Sequence, residues 1–152
     1  MLRDMTLADV DDVVAIEQKL QHFPWTRKNF SDAVSNGYLC YVDESQDMLR
    51  GYTILMPLVD EMELLNITVA ESQQRKGLGR QMLKEMLRIA STLEMKRMFL
   101  EVRLSNLAAI SLYDSVGFCK IGTRSNYYQN NSGSEDALVM ACELMGKING
   151  QT

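Results

Sequence analysis

The chain has 152 residues, 46% hydrophobic and 24% charged, a length and balance that suit one domain with its own core. No apolar run approaches the ~18 residues of a membrane span, and the start lacks the basic-then-apolar order of a signal peptide. The net charge of −4 argues against nonspecific nucleic-acid binding; it fits a cationic substrate, or an acidic surface that serves solubility.

Cys40, Cys119 and Cys142 are an odd number, far apart and without a C-x-x-C. They read as reduced cytosolic thiols in core positions or on sheet faces, neither a disulfide framework nor a zinc site. His22 is the one histidine, so a histidine-rich metal centre is excluded and no metal is expected.

Leu2 to Met5 reads as a first strand. Thr6-x-x-Asp9 has the form of a capping box with Asp in the place of Glu. Val10, Val13, Ile16 and Leu20 then recur at helical spacing, which puts Asp11, Asp12, Glu17 and Lys19 outside and ends the helix near Gln21. His22-Phe23-Pro24-Trp25 breaks the pattern, because Pro24 has no N–H and biases Phe23 away from helix. Thr26 can cap a second short helix through Val34. Aromatics in such a loop serve either as a lid on the core or as a pocket wall.

Tyr38–Val42 reads as a strand, 43–47 as a polar turn and Leu49–Leu58 as a second strand. With the strand ending at Val69, these predict an antiparallel meander. Then comes Gln74-Arg75-Lys76-Gly77-Leu78-Gly79-Arg80, and after it the clearest helix of the chain. Its stripe is Leu78, Met82, Leu83, Met86, Ala90 and Leu93. Met98–Val102 follows as a strand reached by a crossover, hence parallel to the one before. Ser105 or Asn106 caps the next helix, and Gly117 ends it. Phe118–Tyr128 and Ala137–Glu143 predict a closing hairpin around Asn130-Asn131-Ser132-Gly133. The order is β-α-α-β-β-β-α-β-α-β-β, a mixed α/β single domain over 1–145 with a frayed tail over 146–152.

A glycine turn opening a helix is where an anion sits. The first helical turn leaves N–H groups unpaired and carries partial positive charge. Gly77 and Gly79 permit a sharp turn, and Arg75, Lys76 and Arg80 add positive charge. The third glycine of a dinucleotide fingerprint is missing, and there is no Walker-type Gly-Lys-Ser/Thr.

The spacing Gln74-x-x-Gly77-x-Gly79 resembles the acetyl-CoA pyrophosphate loop of the GNAT acyltransferases. Leu100-Glu101-Val102-Arg103, then Ser105-Asn106-x-x-Ala109-x-x-Leu112-Tyr113-x-x-x-Gly117-Phe118, resemble its RimI branch. So do Phe23-Pro24-Trp25, Asn126-Tyr127-Tyr128 and Glu135-Asp136-Ala137. The resemblance covers roughly Leu2 to Leu144.

The resemblance implies a central, mostly antiparallel sheet with flanking helices. A parallel strand pair would splay apart to hold acetyl-CoA. It implies transfer of acetyl to the N-terminal α-amine of a small-subunit ribosomal protein. Ile67, Thr68, Val69, the loop Gln74–Arg80 (with Leu78) and Asn106 would bind the cosubstrate. Phe23, Pro24, Trp25, Tyr127, Tyr128 and Glu135 would bind the acceptor. Glu101 would be the base and Tyr113 the acid. The expected setting is the cytoplasm, the expected state a monomer, and no direct nucleic-acid or membrane partner is implied.

The residues by themselves leave alternatives. Glu101 also reads as a surface carboxylate paired with Arg103 or a lysine, Tyr113 as a buried aromatic, and Asn106 as a helix cap. Tyr127 and Tyr128 are adjacent, so on a regular strand they face opposite sides and one is core. A free α-amine (pKa ~7.7–8.0) needs less help to lose its proton than a lysine (~10.4), so a single carboxylate suits the first acceptor better. Other acceptors, lysine or a small-molecule amine such as a polyamine, and a CoA-binding module without catalysis remain as alternatives.

Overall fold

The computed structural model of the protein describes residues 2–130 and 133–144. Its strands are β1 (Leu2–Asp4), β2 (Leu39–Ser45), β3 (Met48–Pro57), β4 (Glu61–Val69), β5 (Arg97–Arg103), β6 (Cys119–Asn130) and β7 (Gly133–Glu143). Its helices are α1 (Val10–Leu20), α2 (Arg27–Ser35), α3 (Leu78–Thr92) and α4 (Leu107–Ser115). The mixed α/β order is the expected one, with two short 3-10 turns, Leu7–Asp9 and Glu71–Gln73, added to it. The tail over 146–152 and the hairpin residues Asn131 and Ser132 lie outside the described residues.

The chain forms two compact units. The first runs to Pro57 and adds Leu64–Met82; the second takes Leu58–Glu63 and the chain from Leu83 on.

In the first unit the strand order is β1-β2-β3-β4. β1 with β2 and β2 with β3 pair antiparallel. The polar stretch expected to be a turn is mostly strand, since β2 runs on to Ser45. Asp43 can sit there, 5% exposed, because Arg50 Nε donates to its Oδ1 at 2.7 Å. The turn itself shrinks to Gln46 and Asp47, both with positive φ (53° and 63°), as a two-residue hairpin requires.

Thr6 and Asp9 form the capping box, but around the 3-10 turn before α1. Asp9 also receives a two-pronged contact from Arg3, Nη1 to Oδ2 at 2.9 Å and Nη2 to Oδ1 at 2.8 Å. The Arg3 hydrogen bonds hold the Asp9 carboxyl below its ordinary range. A depressed folded pKa stabilises the fold above the unfolded value of ~3.9 and loses that contribution as pH falls through the folded value. Melting midpoints of Asp9→Asn and wild type should therefore differ at neutral pH and converge in acid. A constant gap down to low pH would show that the Arg3 contact is not what links Asp9 to stability.

Along α1 the buried positions are Val10, Val13, Val14 and Glu17. Glu17 thus faces the core, at 2% exposure, and is not on the outer face expected for it. The packed stripe runs i, i+3, i+4, i+7 from Val10, and Glu17 is its last member. Thr26 caps α2 through Asn29, N–H to Oγ1 at 3.1 Å, and Asn29 Oδ1 answers the Thr26 N–H at 2.9 Å. Phe30 goes fully into the core, 5.1 Å from the Trp25 ring and 5.7 Å from that of Tyr52. Gly51 of β3 lets β4 and α3 come close: a Cβ there would stand 2.6 Å from the Thr68 carbonyl oxygen and 3.1 Å from Met82 Sδ.

In the second unit the order is β5-β7-β6, with both pairs antiparallel. The first residues of β4 lie beside the start of β5. Lys96 N–H donates to Asp60 O at 2.7 Å, and Arg97 Nε is 3.8 Å from Glu61 Oε2. Both strands leave from that point, so the pair begins parallel, as a crossover through α3 demands. Met62, Leu83, Met86, Met98, Leu100, Phe118 and Met140 are buried here. Leu93, expected on the α3 stripe, is 50% exposed, because α3 ends at Thr92 and Glu94 turns the chain with φ 61°.

Cys40 and Cys142 are buried, and burial pushes the Cys40 thiol up to about 11; Cys119 is exposed at the start of β6. Among the described residues no helix is long and apolar enough to cross a membrane, and no group of three His, Cys, Asp or Glu side chains is placed to hold a metal.

Candidate active site

The loop expected to cradle phosphate belongs to the first unit. β4 ends at Val69, Ala70 N–H donates to Arg50 O at 2.8 Å, and Gln74 Nε2 closes back on Val69 O at 3.0 Å. The Gln74 side chain therefore shapes the loop. Arg75 (φ 63°) and Gly77 (φ 83°) make the turn in left-handed conformation. Gly79 has a different place from the one expected: it lies inside the first turn of α3, after the bend. Leu78 is buried and anchors the helix start, while Arg75, Lys76 and Arg80 are exposed. A Cβ at Gly77 would meet nothing within 4 Å, so the bend is open on its outer side. The N–H groups of a helical first turn, an open glycine and exposed cations suit a pyrophosphate.

The loop expected to meet the acceptor is in the same unit. Phe23 is 42% exposed and meets His22 edge-on, 4.6 Å between centroids. Pro24 is exposed and Trp25 half-buried. Trp25 packs on Phe30 and also lines a cleft of about 320 Å³ with Asn29, Asp32, Asn36, Tyr38 and Leu65, so it is lid and wall at once. Beneath the loop lies a polar cluster that the sequence did not disclose. Glu17 accepts from Tyr52 Oη at 2.7 Å, from Trp25 N–H at 3.0 Å and from Asn66 Nδ2 at 3.3 Å. Thr68 Oγ1 donates to Asn66 Oδ1 at 2.7 Å. Burial, then the bond to Glu17, raises the Tyr52 phenol far above its ordinary value. The available signal was spacing: Glu17 continues the Val10-Val13-Val14 stripe.

The second unit gathers the ionisable groups. Along β5, Met98, Leu100 and Val102 are buried and Glu101 lies on the opposite face, as alternation predicts. The Glu101 carboxylate is 12% exposed and bonded to Arg124 Nη1 at 2.9 and 3.2 Å. Its cation is thus neither Arg103 nor a lysine: Arg103 is engaged by Glu135 at 3.1 Å. The Arg124 guanidinium lies 4.1 Å from the centre of the Tyr127 ring.

Tyr128 Oη donates to the Glu101 carbonyl at 2.9 Å, and Arg103 covers its ring at 4.6 Å. Neither tyrosine is core, contrary to the alternation argument. The β6–β7 register slips between Arg124 and Tyr128, and Asn126 has φ 54°. That bulge re-aims the strand, so the two rings meet edge-on at 4.9 Å. Burial, then Glu101, raises both phenols. Glu63 of β4 belongs to this cluster too: burial, then the Glu101 charge, raises its carboxyl. Arg124 and Glu63 carried no distinguishing sequence pattern.

Tyr113 is 8% exposed on α4, its ring 5.7 Å from Phe118, and burial pushes its phenol up to about 12. Asn106 caps α4, Oδ1 accepting from Ala109 N–H at 3.2 Å, and remains exposed. Glu135 accepts from Ser105 N–H at 3.2 Å and Ser105 Oγ at 3.1 Å besides Arg103, which fixes the loop between β5 and α4.

Residues 7–118 match the acetyltransferase (GNAT) family model. The chain belongs to the acetyltransferase (GNAT) family. A Salmonella typhimurium protein named [ribosomal protein bS18]-alanine N-acetyltransferase is 37% identical over 92% of this chain and 95% of its own. The crystal structure of the Escherichia coli ribosomal-protein-S18-alanine N-acetyltransferase superposes with TM-score 0.89 at 34% identity, covering 95% of this chain and 93% of that one. An acetyltransferase from Salmonella typhimurium, solved with its cofactor acetyl-CoA, shares the fold at 20% identity and TM-score 0.80, over 95% and 93% of the two chains. The resemblance to the RimI branch thus extends over nearly the whole GNAT chain, and the protein is an acetyltransferase.

Proposed function

We propose that this protein moves the acetyl group of acetyl-CoA to the N-terminal α-amine of a small-subunit ribosomal protein that begins with alanine. The observation that carries this reading is the sheltered Glu101 carboxylate with Tyr127 and Tyr128 around it. It occurs in a chain 37% identical to an enzyme named for that substrate. The setting is the cytoplasm, the protein one acetyltransferase domain over 1–145, acting as a monomer without metal, nucleic acid or membrane.

Acetyl-CoA supplies the activated acyl thioester. Ile67, Thr68 and Val69 offer backbone groups to it. Gln74, Arg75, Lys76, Gly77, Leu78, Gly79 and Arg80 form the cradle for its pyrophosphate, and Asn106 reaches its pantetheine arm. Phe23, Pro24, Trp25, Tyr127 and Tyr128 hold the acceptor, and Glu135 keeps the adjoining loop in shape. Glu101 takes the amine proton through water. The amine nitrogen attacks the thioester carbon, the C–S bond breaks, and the phenol of Tyr113 gives a proton to the departing sulfur. A phenol pushed up to about 12 keeps that proton at neutral pH.

Mass spectrometry of a peptide with N-terminal alanine and an internal lysine, incubated with acetyl-CoA, tests the acceptor. Acetyl on the α-amine is expected. Acetyl on the lysine, or turnover of a polyamine alone, would move the acceptor to another amine, and no transfer at all would leave a CoA-binding module. Tyr113→Phe should lower kcat about tenfold or more with an unchanged melting point, since the ring stays packed on Phe118. Full activity would remove Tyr113 from the chemistry.

A further inference from the structure

Glu17 is a carboxylate sealed inside the first unit, 2% exposed. A buried carboxylate is costly unless donors surround it. Here the donors come from three separate segments. Tyr52 belongs to β3, Asn66 to β4, and the Trp25 N–H to the acceptor loop. Trp25 is a backbone donor, and its nitrogen cannot turn elsewhere without moving the loop. Asn66 is held in turn by Thr68 at 2.7 Å, and Asn66 directly precedes Ile67. A continuous hydrogen-bonded chain therefore runs from Thr68 through Asn66 and Glu17 to the backbone of Trp25.

We propose that Glu17 is a positioning residue that couples acetyl-CoA binding on β4 to the conformation of the Phe23–Trp25 acceptor loop. This rests on the reading of Ile67–Val69 as the cosubstrate strand and of Phe23–Trp25 as the acceptor wall. A ligand that orders the backbone of Ile67–Val69 orders Asn66 with it. The Asn66 amide then fixes the carboxylate, and the carboxylate fixes the Trp25 N–H.

Glu17→Met breaks the chain with a side chain of similar length. Its thioether is a poor acceptor, so Tyr52, Asn66 and the Trp25 N–H lose their common partner. Asn66→Ala breaks the same chain from the other end.

Trp25 is the one tryptophan of the chain, so its fluorescence reports the loop alone. Acetyl-CoA is titrated into wild type, Glu17→Met and Asn66→Ala. Trp25 emission and calorimetric binding are followed together, and steady-state kinetics give the acceptor KM. Wild-type emission should change with acetyl-CoA saturation. In both variants acetyl-CoA should still bind, the emission change should be lost, and the acceptor KM should rise about tenfold while kcat moves less. An emission change that survives in both variants, or one absent from wild type, overturns the coupling. Should no α-amine peptide be turned over by wild type, the acceptor reading fails on its own and the emission comparison still decides for or against Glu17.

Discussion

Glu101→Gln is expected to lower kcat about a hundredfold at neutral pH and leave acetyl-CoA binding nearly unchanged. General-base catalysis contributes ~10²–10⁴ to a rate, and the amide cannot take a proton. Stability should change little, because Arg124, the partner lost, is 56% exposed and can return to water. Initial rates, with calorimetric binding of acetyl-CoA on the same preparation, check this. If the variant retains the wild-type rate, Glu101 only braces Arg124 and the base lies elsewhere. Glu63, in the same cluster, would then be the next residue to replace.

Gly51→Ala should destabilise the protein by about 2–3 kcal/mol, in the range of overpacked cores. The new Cβ would stand 2.6 Å from the carbonyl oxygen of Thr68, and backbone cannot swing aside as a flexible side chain does. Met82 Sδ at 3.1 Å blocks a shift on another side. For a chain of this size the melting midpoint should fall by ~5–10 °C. Acetyl-CoA affinity should fall with it, because the displaced Thr68 lies on the strand assigned to the cosubstrate. An unchanged midpoint would mean that β4 gives way freely and that its close approach to β3 is not a constraint.

Much of this was readable without coordinates, for reasons that differ by residue. The α3 stripe could be read because helical burial repeats with a regular period, and Glu101 because strand faces alternate. Thr26 and Asn106 were legible as caps, since capping is local chemistry. What escaped depends on contacts distant in sequence. Glu17 looks like a surface charge until Tyr52 and Asn66 are brought to it. Arg124 finds Glu101 through the pairing of β5 and β6 with β7. Tyr127 and Tyr128 were placed on opposite faces by a rule that holds for regular strands, and the bulge at Asn126 suspends it. Asp43 reads as a turn residue because its polarity is visible in the sequence and its partner Arg50 is not.

The cysteines have a practical consequence. Acetyl transfer releases CoA as a free thiol, and aromatic disulfide reagents detect it by colour. Such a reagent also reacts with the protein. Cys119 is open to it, whereas Cys40 and Cys142 are enclosed and the raised Cys40 thiol stays protonated at neutral pH. Each chain should therefore add one fast equivalent of colour before turnover begins. Cys119→Ser should abolish that burst. In the wild-type chain the same thiol gives a single address for a maleimide dye.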